Sequence, residues 1–125
     1  MHKISISFRR TDDRGSFLEY INNTVGWKSI NGGQMTKGAL MGNHYHKECE
    51  TFFFLLTGSA RVGARDVRTE NAAEHLDLQS GEGAVFAPYE THYFNYLEDS
   101  EFLLLKSETY NPQAADTYEA MVDVT

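Results

Sequence analysis

Apolar and polar residues alternate with a period of two along most of the chain, which on a β-strand sends successive side chains to opposite faces. Ile4, Ile6 and Phe8 share one face of residues 4–9, which reads as an edge strand or an arm exchanged with a partner. Asp12-Asp13 and Gly15 supply turn chemistry before a short strand that starts near Ser16. Residues 27–31 read as a further strand that Gly32-Gly33 breaks. Gly38 is expected to allow the bend into a strand carrying His44 and His46, and the apolar run Phe52–Leu56 forms the next strand, closed by a turn at Thr57-Gly58. The two are expected to lie antiparallel and to carry a site.

After Gly58, Ala60, Val62 and Ala64 alternate with Arg61, Gly63 and Arg65, so a hairpin with the preceding strand is expected. Leu76 and Leu78 mark a shorter strand, Ser80–Gly83 a turn, and Ala84–Ala87 a buried strand ended by Pro88. A strand opening at His92 and another over Glu101–Glu108 follow, and the tail holds a brief helix-compatible piece near Asp116–Met121. About nine short strands separated by turns predict an all-β jelly-roll sandwich or barrel, with residues 1–125 as one domain.

Composition narrows the partners. The chain has 125 residues, 41% hydrophobic and 13% aromatic, which suits a packed β domain rather than a disordered segment. Eleven basic against 18 acidic residues leave a net charge of −7, which disfavours nucleic acid and anionic lipid and favours a small-molecule partner. No apolar stretch approaches the ~20 residues of a membrane span, and residues 1–10 lack the apolar core of a signal peptide. Cys49 is the only cysteine, which agrees with a reducing compartment. A soluble cytoplasmic protein is expected.

His44 and His46 lie two apart and share one strand face, with Tyr45 on the other. His92 opens a later strand that can pair close by. Three imidazoles with an open position suit a divalent metal, zinc first, although iron, manganese, nickel or copper also accept these donors. His2 and His75 have no such partners in sequence.

Gly38, His44-Tyr45-His46 and Gly58, followed by Gly81, Pro88, His92 and Asn95, resemble the two motifs of the cupin superfamily. That resemblance implies a jelly roll with an acidic fourth ligand. Glu50 stands one place early for that role and Thr51 occupies the position, while His92 follows Pro88 by four residues where five is usual. A bulge would bring Glu50 inward. The segment Asp13-Arg14-Gly15-Ser16-Phe17-Leu18-Glu19 is similar to an element of cupin enzymes acting on nucleotide-linked deoxysugars, such as the dTDP-4-dehydrorhamnose 3,5-epimerases. Gly42–His46, together with Glu108–Pro112 and Asp116-Thr117-Tyr118, resembles the C-terminal cupin domain of capsule-biosynthesis epimerase/reductases. Met41 stands where those enzymes are expected to carry lysine, and no G-x-G-x-x-G is present for a reductase half. His46-Lys47 with Glu50-Thr51 also resembles the histidine segment of the metal-free sugar-nucleotide 3,4-ketoisomerases.

The resemblance implies a nucleotide-sugar substrate, with Arg14 pairing a diphosphate oxygen, Phe17 stacking on the base and Glu19 accepting hydrogen bonds from base or ribose. The activity implied is epimerisation or isomerisation at carbon 3 of a nucleoside-diphosphate 4-keto-6-deoxy sugar. Such a step needs a base and a group that stabilises the enolate oxygen. If His44, His46, Glu50 and His92 hold a metal, the base falls to Glu50 or Tyr96; without metal it is His46. A metal-dependent cupin oxygenase and a non-catalytic sugar-binding module are the alternatives. A homodimer is expected, because an N-terminal strand can extend a neighbour's sheet edge.

Overall fold

The computed structural model describes residues 1–123. Twelve strands are present among them: β1 (His2–Ser5), β2 (Phe8–Asp12), β3 (Gly15–Glu19), β4 (Ser29–Met35), β5 (Leu40–Tyr45), β6 (Thr51–Thr57), β7 (Ser59–Asp66), β8 (Glu74–Gln79), β9 (Glu82–Phe86), β10 (Glu90–Tyr96), β11 (Ser100–Lys106) and β12 (Tyr118–Glu119). Two five-stranded antiparallel sheets, in the orders β1-β9-β6-β11-β4 and β12-β5-β10-β7-β8, face one another as the expected jelly roll. The hairpin β2-β3 pairs with neither sheet. No helix among the described residues is long and apolar enough to cross a membrane.

The core lies between the sheets. Phe53 and Leu55 of β6, Phe86 of β9 and Phe102 of β11 meet Val62 of β7 and Phe94 and Tyr96 of β10. Phe53 and Phe94 approach to 4.3 Å between ring centroids. A second cluster covers the outer face of β6 and β9, where Phe52, Phe54 and Val85 pack with Tyr20, Ile21 and Trp27. Burial on both faces explains why β6 is a continuous apolar run rather than an alternating one.

Several local expectations need correction. Residues 4–9 do not form one strand: β1 adds to the edge of β9, the chain breaks at Ser5–Phe8, and β2 turns away to pair with β3. The strands before and after Glu50 do not pair, because β5 and β6 belong to facing sheets. Nor do β6 and β7 form a hairpin; Gly58 (φ 92°) carries the chain between sheets, and β7 pairs with β10 and β8. That crossing lets the apolar residues of β6 and β7 face each other across the core. Gly32-Gly33 sits inside β4 rather than ending it, since a Cβ at Gly32 would stand 3.0 Å from both Leu103 Cδ2 and Phe102 O. The tail forms β12 against β5, not a helical piece.

Candidate active site

A β-bulge aims the first histidine. His92 faces His44 across β10 and β5 while Tyr93 faces Gly42, so Asn43 is the extra residue, at φ 60°. Gly42 takes φ 104°, and a Cβ there would lie 2.5 Å from His92 O. The extra residue shifts the alternation, so that Met41 and His44 both line one cavity. His46 follows two residues later, just past the end of β5, and Tyr45 points away to stack on Tyr118 and Tyr89. From β10, His92 shares the inner face with Phe94 and Tyr96.

The three imidazoles converge. Ring centroids are 5.2 Å apart for His44 and His46, 5.0 Å for His44 and His92, and 6.0 Å for His46 and His92. One nitrogen from each lies within 4.8 Å of the others, so the set could hold a metal ion; neither His2 nor His75 belongs to it. The cavity of about 180 Å³ is completed by Thr51 of β6 and by Leu104 and Lys106 of β11. One wall is therefore apolar, formed by Met41, Phe94 and Leu104.

Backbone carbonyls orient the rings. A carbonyl oxygen only accepts, so His92 Nδ1 donates to Glu90 O at 2.9 Å and His46 Nδ1 donates to Asp116 O at 2.5 Å. His46 Nε2 is left buried with no hydrogen-bond partner. Burial is the main cause that lowers the His44 pKa, with His46 and Lys106 adding repulsion and a backbone hydrogen bond to Gly42 opposing. His92, 2% exposed, is held down at about 3, again mainly by burial.

The register after His46 places Thr51, not Glu50, against the cavity. No bulge intervenes at the start of β6, which pairs regularly with β9 over Thr51–Phe54 and with β11 over Thr51–Leu55, so strand parity turns Glu50 away. Glu50 is not among the converging donors, contrary to its expected place as a fourth ligand. Tyr96 also does not line the cavity: its ring packs on Phe53 and Phe102, its hydroxyl faces Met41 Sδ at 3.8 Å, and burial raises its pKa. Neither candidate base of the metal-bound reading reaches the histidines' cavity.

Arg14 and Phe17 line a separate cavity of about 240 Å³ on the β2-β3 hairpin, together with Arg10 and Asp12. Arg10 lies over the Phe17 ring at 5.3 Å. Arg14 is held by Asp12 at 2.7 Å, which raises the guanidinium pKa. Glu19 lies outside that lining and accepts from Ser7 Oγ at 3.0 Å.

Two residues enter the site in roles that the sequence reading did not assign. Lys106 supplies an amine from the sheet opposite Met41, and its signal was the alternation Phe102, Leu104, Lys106 on the inner face of β11. Asp116 left no such signal, because it meets His46 through its backbone carbonyl.

Comparisons with known proteins agree with this geometry. Residues 10–118 match the family described as the polysaccharide biosynthesis C-terminal domain. No curated protein matches in sequence. Among solved structures, the rmlC epimerase of Mycobacterium tuberculosis superposes with a TM-score of 0.80 at 20% identity, over 94% of this chain and 66% of that one. The 3'-monoepimerase ChmJ of Streptomyces bikiniensis, solved with dTDP-quinovose, gives 0.80 at 17% identity, over 94% and 67%. The capsular polysaccharide assembling protein CapF of Staphylococcus aureus gives 0.70 at 25% identity, over 92% of this chain but 34% of its own. The first two likenesses establish a shared cupin-type jelly roll.

Proposed function

Because the chain belongs to the family of polysaccharide biosynthesis C-terminal domains, we propose that it acts on a nucleoside-diphosphate 4-keto-6-deoxy sugar, as an epimerase or isomerase that moves the proton at carbon 3. The observation that carries this reading is the pairing, in one small cavity, of an imidazole nitrogen without a partner and a lysine amine, His46 Nε2 and Lys106. A proton next to a keto group is acidified, and its removal needs a lone pair on one side and a positive charge at the developing enolate oxygen on the other. His46 Nε2 accepts the proton. Lys106 neutralises the oxygen. The half-buried His44 and the buried His92, both disfavoured as cations, complete the wall, and Met41, Phe94 and Leu104 exclude water and receive the sugar's methyl group. With Glu50 and Tyr96 turned away from this cavity, an imidazole is its best placed proton acceptor.

The same imidazoles fit a divalent cation such as zinc, because the orphaned Nε2 of His46 lies among three converging nitrogens. When bound, the ion would supply Lewis-acid polarisation of the keto oxygen. His44, His46 and His92 would hold it, and His46 would then have no lone pair for the substrate. Added zinc should therefore suppress proton exchange and a chelator restore it; stimulation by zinc would favour the metal-dependent reading.

Arg14 and Arg10 are suited to the diphosphate and Phe17 to the base, since a planar guanidinium and an exposed ring offer ion pairing and stacking. We place the protein in the cytoplasm as a homodimer. Cys49 is a free thiol. A two-stranded hairpin alone in water is marginally stable, and β2-β3 leaves Phe8 49% exposed beside the base-stacking Phe17, as expected of a hairpin that a second copy supports. A monomer by light scattering at micromolar concentration would reject the dimer. The activity itself is tested by incubating the protein with UDP- or dTDP-4-keto-6-deoxy sugars in D₂O. Deuterium should enter at carbon 3, and no exchange above background with either nucleotide would leave only a binding module.

A further inference from the structure

We infer that Asp116 is a positioning residue that fixes the tautomer and seat of His46. A neutral imidazole carries its proton on either nitrogen, and only one tautomer leaves Nε2 free to accept a proton or a metal. The backbone oxygen of Asp116 receives Nδ1–H of His46 and so selects that tautomer. The side chain of the same residue grips the backbone that follows: its carboxylate oxygens accept from the amides of Lys47 at 2.8 Å and Glu48 at 2.9 Å. One residue thus holds both the ring and the chain beside it. Removing the carboxylate loosens the carbonyl's seat, because the carboxylate contacts lie in the same residue, while the pairing of β12 with β5 holds the tail from Tyr118 onward.

Asp116 does not line the substrate cavity; it lines a neighbouring cleft that shares His46 and Lys106 with that cavity. It therefore acts through His46 and touches no reacting atom. The strap it belongs to is anchored further on. Tyr118 stacks on Tyr45 at 5.4 Å, Lys47 Nζ lies over the Tyr118 ring at 4.3 Å, and Asn43, the bulge residue beside His44, accepts from the amides of Ala120 and Val122 at 3.1 Å each. The tail thereby clamps the segments just before His44 and just after His46.

The test is a long-range ¹H–¹⁵N correlation spectrum of the chelator-treated, ¹⁵N-histidine protein at pH 8.5, above the ordinary imidazole range of about 6.5. Wild type should show His46 with a protonated Nδ1 and a bare Nε2. In Asp116→Ala the His46 signals should move toward a mixture of tautomers while those of His92, held by Glu90, stay in place; Asp116→Asn, which keeps one acceptor, should fall between. The exchange reaction should lose about 10- to 100-fold in kcat with KM little changed. Wild-type His46 protonated on Nε2, or a folded Asp116→Ala with an unchanged His46 tautomer, would overturn the inference. If Asp116→Ala does not fold, the wild-type tautomer and Asp116→Asn decide alone. The activity arm rests on the function proposed above; the tautomer arm does not, so a wild type inactive toward the sugars but with the expected tautomer would refute the function and support the positioning.

Discussion

Replacing Gly42 by alanine tests whether the bulge is what delivers His44 to the cavity. Two costs add. At φ 104° an L side chain is strained, by about 1–3 kcal/mol. The new Cβ would also stand 2.5 Å from His92 O and 2.9 Å from Tyr93 Cα. Those are backbone atoms of a central strand, which no side-chain rotation clears, so overpacking adds about 1–3 kcal/mol. Gly38 provides the control: its φ is 88°, but nothing lies within 4 Å of a Cβ there, which leaves about 1–2 kcal/mol of strain alone. At about 4 °C per kcal/mol for a domain of this size, Gly42→Ala should melt about 8–24 °C below wild type and Gly38→Ala about 4–8 °C below. Calorimetry measures both, and exchange at carbon 3 is read below the lower melting point. Gly42→Ala should lose exchange even where it is folded, because relief of the overlap must move His92 or re-aim His44, whereas folded Gly38→Ala should keep it. Equal melting shifts, or wild-type exchange in Gly42→Ala, would show that the bulge is not what delivers His44 to the cavity.

Other perturbations probe single parts of the site. Lys106→Met should lower kcat by about 10²–10³, the loss typical of removing one donor from an oxyanion, and an unchanged kcat would remove the lysine from the mechanism. Phe17→Ala should raise KM with kcat little altered, and a kcat effect alone would argue against a binding role. Acid should destabilise the fold: the His92 pKa is lowered to about 3, so between about 6.5 and 3 the unfolded chain binds the proton that the native state refuses. Stability is then retained above pH 6.5 and falls on acidification, by about 2 kcal/mol at pH 5 from His92 alone, which urea titrations at pH 7.5 and 5 would detect. Equal or greater stability at pH 5 would contradict a neutral buried His92.

The histidine set was legible because parity is a strong rule: residues two apart share a face, and His92 recurs at the start of an inward-facing strand. The bulge itself was not, since Gly42-Asn43 reads equally as a turn, a bend or a plain strand. Sheet assignment failed for a similar reason. A turn at Gly58 looks the same whether the chain pairs back on itself or crosses the sandwich, and only the facing apolar surfaces of β6 and β7 decide. Glu50 was the open question, and regular pairing from Thr51 settles its direction. Lys106 was visible in principle as an inward lysine on an alternating strand. Asp116 was legible only as part of the tail resemblance; its contact with His46 was not, because a contact made by a carbonyl carries no side-chain signature. The N-terminal pattern over Ile4, Ile6 and Phe8 predicted one strand, yet the break between β1 and β2 sends the second piece into the hairpin that carries Arg14 and Phe17.

The most direct test of the proposed chemistry compares deuterium entry at carbon 3 for wild type and His46→Gln, at saturating nucleotide sugar and after chelator treatment. Glutamine keeps a polar side chain at the cavity but has no basic lone pair. The variant should fold, bind the nucleotide sugar, and exchange about 10²–10⁴ times more slowly. A His46→Gln protein that exchanges at the wild-type rate would contradict the proposed chemistry.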